Sequence, residues 1–261
     1  MTHPFTGLDG GARSAKPRRQ GLTMMIDWGL GLRQQEDVLE ASSFAFDLAK
    51  VAVGITRLLP EDILRRKIAL YQQGEVEPFP GGQFFEYSET LGKSDMYLPA
   101  VQEVGYRWVE VSDNMAEVTL EWKERMIRRA VDDFGLSVLG EVGKKEGLGS
   151  DTGFVEDAQR CADAGASVVL LEAAELVGDD VETAQAVEAV VKALGVARVM
   201  FELPGPWIDG VNLFDIHAMR RDLIARYGSD VNLGNVMPDE VMSLEAYRRG
   251  LGVNAGQAIE R

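Results

Sequence analysis

Residues 119–142 read TLEWKERMIRRAVDDFGLSVLGEV, and this stretch decides the fold. Its first part, Thr119–Phe134, puts Leu120, Met126, Ile127 and Val131 on one side and charged residues elsewhere. That is the period of an amphipathic helix. Gly135 stops it, as glycine does where a chain leaves a helix through a left-handed turn. Then comes Ser137–Val142, short, apolar and without polar alternation, the pattern of a parallel strand covered on both faces. One charged residue, Glu141, interrupts the run near its C-terminal end.

The same unit recurs outward in both directions. Apolar runs lie at Leu22–Asp27, Leu48–Gly54, Val76–Gly81, Trp108–Ser112, Ser137–Val142, Ser167–Glu172, Arg198–Leu203 and Asp230–Asn235, roughly every 25 to 32 residues. Helical patterns cover Asp151–Ala164, Val181–Leu194, Ile216–Tyr227 and Asp239–Arg249, each followed by a glycine. Strand–helix alternation implies right-handed parallel crossovers. Eight units in 261 residues favour closure into an α/β (β/α)8 TIM barrel. A doubly wound open sheet is the competing architecture, and two medium domains also fit the length. No Gly-x-Gly-x-x-Gly follows the first strand; Gly29-Leu30-Gly31 is too short. The expected organisation is an N-terminal arm over residues 1–20, mobile or closing one barrel end, and a single barrel domain over 21–261.

A formal net charge of −15 disfavours nucleic acid and anionic membrane as partners. An anionic substrate then needs local positive charge. The lone cysteine, Cys161, permits no intrachain disulfide, which fits a cytoplasmic protein. No apolar run reaches the roughly 18–20 residues of a membrane span, and Met1–Gln20 lacks the apolar segment of a signal peptide. The expected partners are a small anionic molecule and further copies of the chain in a homo-oligomer.

Four consecutive strands end in a similar phrase: Val109-Glu110-Val111-Ser112-Asp113, Gly140-Glu141-Val142-Gly143-Lys144-Lys145, Leu171-Glu172-Ala173-Ala174-Glu175 and Phe201-Glu202-Leu203-Pro204. A glutamate inside a buried strand is costly unless paired or bound to metal. Four at equivalent positions form an acidic arc at the barrel's C-terminal face, where such barrels do their chemistry. Asp27 ends the first strand, Lys50 lies in the second, and Gly81-Gly82 ends the third with Glu86 beyond. One reading is a salt-bridge layer holding the mouth. The other is an oxygen site for a hard cation such as Mg²⁺, with a lysine as acid or base. Mg²⁺ needs only one or two carboxylates, so not every acid is a ligand. Glu141, Glu172 and Glu202 are the candidate ligands. Lys145, in a loop, is a candidate proton donor or a solvated side chain. Lys50, inside an apolar strand, requires a carboxylate partner. His217 reads as a surface residue and Cys161 as packing. Trp28 and Trp207 follow strands, where an aromatic lines the pocket or packs the core.

At these residues the sequence resembles the phosphosulfolactate synthase family. The phrases that carry it include Lys16-Pro17-Arg18, Asp27 with Gly29-Leu30, Asp47-Leu48-Ala49-Lys50, Pro80-Gly81-Gly82 with Phe85-Glu86-Tyr87, the Glu110 and Glu141 phrases, Phe201-Glu202 with Pro204, Val231-Asn232-Leu233-Gly234-Asn235, and Ser243-Leu244-Glu245. The resemblance implies a (β/α) barrel that adds sulfite to phosphoenolpyruvate with Mg²⁺, a carbon–sulfur lyase or synthase. Sulfite attacks the methylene carbon, the metal meets the charge that develops on the carboxylate, and Lys145 protonates the adjacent carbon. Lys50 and Glu141 join Lys145 as catalytic candidates. Asp27, Arg57, Gly82, Gln83, Ser112, Asn232 and Asn235 are the candidate substrate contacts. The sequence departs from the family in three places. Ala173-Ala174-Glu175-Leu176 stands where the family has Gly-Arg-Glu-Ser, removing an arginine suited to phosphate or sulfite. Trp28 replaces a Lys or Asn, with Trp207 adding bulk. Gln83 and Arg57 replace smaller hydroxyl residues. Two outcomes follow: the same substrates with Arg57 compensating, or a divergent enzyme acting on a larger, less anionic acid. A non-catalytic, stress-associated relative is the third class, against which the intact arc and lysine argue.

Overall fold

The computed structural model describes residues 5, 13–114, 116–143, 151–172, 181–205 and 207–253. Eight parallel strands form one sheet: β1 (Thr23–Asp27), β2 (Leu48–Val51), β3 (Glu77–Pro80), β4 (Trp108–Val111), β5 (Ser137–Val142), β6 (Val168–Leu171), β7 (Val199–Glu202) and β8 (Asn232–Val236). Their order is β3-β2-β1-β8-β7-β6-β5-β4, so the first strand pairs with the last. That pairing excludes the doubly wound alternative. Between β3 and β4 no ladder forms, and side chains bridge the seam. The Gly82 N–H donates to Glu110 Oε1 at 2.8 Å, and Arg107 pairs with Glu77 at 3.1 Å. The sheet is thus a nearly closed (β/α)8 barrel.

Among the described residues ten α-helices surround it: α1 (Leu32–Ser42), α2 (Ile55–Leu58), α3 (Glu61–Gln73), α4 (Gly82–Thr90), α5 (Tyr97–Val104), α6 (Leu120–Asp132), α7 (Asp151–Asp163), α8 (Val181–Leu194), α9 (Leu213–Tyr227) and α10 (Val241–Arg248). None is long and apolar enough to cross a membrane, among the described residues. α6 is the helix of the opening stretch, and its first turn is capped by Thr119, whose hydroxyl accepts from the Trp122 N–H at 3.1 Å. α9 starts three residues earlier than the apolar pattern indicates. Asn212 and Asp215 form a reciprocal capping box there, a polar signal that periodicity does not register.

Alternation along each strand explains where the charges go. Side chains two apart share a face. Met24, Leu48, Phe79, Leu139, Leu170 and Met200 fill the barrel interior as one apolar plug. Two residues further along four of those strands, the same face carries Lys50, Glu141, Glu172 and Glu202, and Trp108 is followed likewise by Glu110. The intervening residues, such as Ala49, Val109, Val138, Val169 and Phe201, pack outward against the helices. The plug seals the barrel below, so the charged layer lies between it and the C-terminal mouth.

Residues 13–20 of the expected arm lie across the opposite, N-terminal end. The Arg13 side chain is fully buried and pairs with Asp230 and Glu245, each at 3.0 Å. Arg18 pairs with Asp47 at 3.0 Å. Asp230 and Asp47 each precede a strand, so residues 13–20 clamp strand beginnings.

Candidate active site

The mouth holds a cavity of about 420 Å³ lined by Lys50, Glu110, Glu141, Glu172 and Glu202, by Gly82, Gln83 and Asn235, and by Trp28 and Trp207 among others. The four glutamates do not act alike. Glu110 is drawn to the β3–β4 seam. One of its oxygens accepts the Gly82 N–H, and the other sits 2.9 Å from the Lys50 ammonium. Gly82 is required at this approach, because a Cβ there would fall 2.3 Å from Ser112 Oγ and 3.0 Å from Glu110 Oε1. Lys50 also donates to Glu202 Oε1 at 2.9 Å, bridging the two acids across the barrel. The other three glutamates converge. Glu141, Glu172 and Glu202 are buried, and each offers an oxygen within 4.8 Å of the others.

This cluster is electrostatically unfinished. Burial pushes the Glu141 carboxyl well above the usual carboxylate range; Glu202 and Glu110 push it further, and Lys50 only partly offsets them. Burial likewise raises Glu202 to about 7, with Lys50 opposing and Glu172 and Glu110 adding to the rise. For Lys50, burial works to remove the proton, but Glu110, Glu202 and Glu141 outweigh it and hold the ammonium well above its ordinary value. Lys50 is therefore a fixed positive charge. The raised Glu141 and Glu202 show that Lys50 does not fully offset the buried carboxylates, an imbalance that a bound cation would relieve. All the donors are hard oxygens, and Glu172 is steadied by Asn114, whose amide Nδ2 donates to Glu172 Oε2 at 3.2 Å. The residues fit a hard divalent cation with outer-shell support.

Asn114 is a site residue that sequence reasoning missed. It lies past the end of β4, with no periodicity to mark it. It is held in turn by Glu86, which accepts the Asn114 N–H at 3.1 Å, the Ala116 N–H at 2.8 Å and the Ser112 hydroxyl. Ser112 is thus buried under Gly82 and engaged with Glu86, outside the cavity lining. Lys123 was also missed. Its buried ammonium donates to Asp113 at 3.0 Å, Asp157 at 2.7 Å and the Glu141 carbonyl at 3.1 Å, tying the end of β5 to α6 and α7.

Besides Ser112, three expected substrate contacts lie elsewhere. Asp27 faces outward from β1, since Ile26 is the inward residue. Its carboxylate accepts from Gly29 and Leu30 N–H at 2.8 Å and from Tyr71 at 2.6 Å, and it contacts the Lys67 ammonium. It anchors the β1–α1 turn to α3. Asn232 sits low in the barrel and stitches backbone: it accepts from Leu22 N–H at 2.8 Å and donates to the carbonyls of Ala197 and Val199. Arg57 is exposed on α2, outside the cavity lining. Asn235 does reach the cavity. β8 carries an extra residue against β1, with Thr23 opposite Leu233 and Met25 opposite Val236. Asn235 takes up this bulge at φ 57°, a conformation asparagine tolerates, and its buried Oδ1 has no partner. Gly82 and Gln83 line the cavity. Lys145, and the segment Ala173–Leu176 that replaces the family's arginine phrase, lie outside the described residues. His217 bonds Glu240 at 2.9 Å between α9 and α10, away from the cavity, and Cys161 is buried.

With this geometry in hand, comparison with known proteins decides the family. The profile described as ComA, (2R)-phospho-3-sulfolactate synthase, matches residues 11–254. The chain belongs to the phosphosulfolactate synthase family. It is 35% identical over 250 residues to the phosphosulfolactate synthase of Methanothermobacter thermautotrophicus, covering 92% of each chain. It is 31% identical over 244 residues to that of Methanocaldococcus jannaschii, covering 89% of this chain and 92% of the relative. Among solved structures, the YdjI aldolase of Escherichia coli K12 superposes with a TM-score of 0.56 at 13% identity, over 86% of this chain and 78% of that one, a likeness of fold alone. The family match spans Glu141, Glu172 and Glu202.

Proposed function

We propose that the chain is a magnesium-dependent synthase that joins sulfite to phosphoenolpyruvate, forming a carbon–sulfur bond. The observation that carries this reading is the convergence of Glu141, Glu172 and Glu202 beside a fixed ammonium, in a chain that belongs to this family. Mg²⁺ held by these carboxylates supplies positive charge where the substrate carboxylate gains electron density. Lys50 pairs with Glu202 and Glu110 and places its own charge at the cavity floor. Asn235 Oδ1, buried and unpartnered, offers an acceptor to a bound hydroxyl or ammonium. In the bond-forming step the sulfur lone pair attacks the terminal carbon of the enol. The π electrons move to the neighbouring carbon, which takes a proton from Lys145, and the phosphoryl group stays in place. Purified protein with Mg²⁺, sulfite and phosphoenolpyruvate should consume both substrates, followed by phosphorus NMR. Loss of activity in both Lys145→Ala and Glu141→Ala is expected. No consumption by the unaltered protein refutes the assignment.

A further inference from the structure

We propose that Lys123, a helix residue outside the cavity, is a positioning residue that sets the spacing between Glu141 and Glu172 and thereby suits the site to a small divalent cation. The inference rests on the reading above, in which these acids hold Mg²⁺, and names what keeps them in place.

Lys123 stands where the helix period calls for an apolar residue. Trp122, Met126, Ile127 and Ala130 form the buried face of α6, and Lys123 is buried among them at 1% exposure. Asp157 does the same on α7, in register with the buried Phe154, Ala158 and Cys161. Either charge alone is costly on an apolar face. They meet at 2.7 Å, where both helices pack on β5. Joining two helices needs no more than that pair.

The ammonium has two further partners, and both lead to the glutamates. It donates to the Glu141 carbonyl at 3.1 Å, which fixes β5 at the residue whose side chain enters the cluster. It donates also to Asp113 Oδ1 at 3.0 Å, and the next residue, Asn114, donates to Glu172 Oε2 at 3.2 Å. Glu86 grips the same segment through the Asn114 and Ala116 N–H groups. An ammonium carries three N–H donors, and here each has an acceptor. One side chain thus refers Glu141 and Glu172 to a common point, by main chain for the first and through Asp113-Asn114 for the second. Glu202 is held separately, by Lys50 at 2.9 Å. Lys123 does not line the cavity, so it acts only through these acids.

Spacing is what distinguishes small cations. Mg²⁺ demands near-octahedral oxygens at about 2.0–2.1 Å, whereas Ca²⁺ accepts looser cages at about 2.3–2.6 Å. The three glutamates each offer an oxygen within 4.8 Å of the others. Freeing Glu141 to move against Glu172 therefore weakens Mg²⁺ more than Ca²⁺.

The test titrates the full chain with Mg²⁺ and with Ca²⁺ by calorimetry. Lys123→Met should lower Mg²⁺ affinity about 10- to 100-fold, the range for losing an outer-shell support, and Ca²⁺ affinity by a smaller factor, so that the preference for Mg²⁺ over Ca²⁺ falls. The double variant Lys123→Met/Asp157→Leu removes one of the deserted acids as well, which preserves folding; it should show the same fall, because the Glu141 carbonyl is still released. Lys67→Met, which strips a buried lysine from Asp27 outside the cavity, should leave the preference unchanged. An unchanged Mg²⁺ to Ca²⁺ ratio in the double variant, or an equal fall in Lys67→Met, overturns this inference and leaves the proposed function standing. Failure of the unaltered protein to bind Mg²⁺ overturns both.

Discussion

Replacing Lys50 by methionine keeps the length of the side chain and removes the charge that joins β2 to β4 and β7. The ammonium lies 2.9 Å from Glu110 and from Glu202. Each contact corresponds to roughly 6 kcal/mol of gross attraction at an effective dielectric of about 20. Desolvation offsets much of that, and deleting one partner of a buried pair usually costs about 3–5 kcal/mol. We expect a loss in that range for metal-free Lys50→Met protein at pH 8. The loss should shrink at pH 5. There Glu141 and Glu202, already raised, take up protons, and the repulsion that Lys50 relieves falls away. The sign follows from proton counting. The variant's folded state holds its carboxyl protons to higher pH than the unfolded chain does, so its stability falls as pH rises, by up to about 1.4 kcal/mol per pH unit for each proton held. Urea unfolding followed by far-ultraviolet circular dichroism at both pH values, metal-free and with Mg²⁺, measures this. A loss below about 1 kcal/mol at pH 8, or an equal loss at pH 5, would refute the reasoning, because such a result is incompatible with a buried ammonium that bridges two carboxylates and offsets their repulsion.

Three further outcomes follow from the same geometry. Glu202, raised from an ordinary 4.5 to about 7, should make the unaltered metal-free protein lose stability as pH climbs between those values, on the order of 3 kcal/mol from this group; magnesium binding near pH 7 should then release protons, read as calorimetric heats that depend on the buffer's ionisation enthalpy. Asn114→Ala removes the hydrogen bond to Glu172 and should weaken metal binding about 10- to 100-fold while leaving the urea midpoint little changed; unchanged metal affinity would show that Asn114 does not steady Glu172. Lys67→Met deserts Asp27 behind the barrel wall and should cost about 3–5 kcal/mol of stability without altering metal affinity, which a matched pair of unfolding and metal titrations separates.

The fold was legible because strand and helix carry different periods. Ser137–Val142 and Val181–Leu194 coincide with their elements to the residue. β2 ends earlier than its apolar run because the chain turns at Val53, whose left-handed backbone no propensity indicates. α1, LRQQEDVLEAS, offers too thin an apolar stripe to stand out, and its packing on α3 completes it. The glutamates of the mouth were legible as charges inside apolar strands. Their division was not, because which acid meets Gly82 and which meet one another depends on the β3–β4 seam. Asp27 and Asn232 lie away from the cavity for reasons of alternation and height that a motif does not carry: the inward residue of β1 is Ile26, and Asn232 lies at the start of β8. Lys67 and Lys123 sit on helices, where a lysine looks solvated until its partner at a strand end is known.

We propose that Glu141, Glu172 and Glu202 hold the metal on which the chemistry depends. Crystals grown with Mn²⁺ in place of Mg²⁺, and measured for anomalous scattering, test it directly. The account predicts one strong peak within coordination distance of those three carboxylates, lost in crystals of Glu141→Ala protein. A peak elsewhere in the barrel, or no peak while the enzyme remains active, would contradict it.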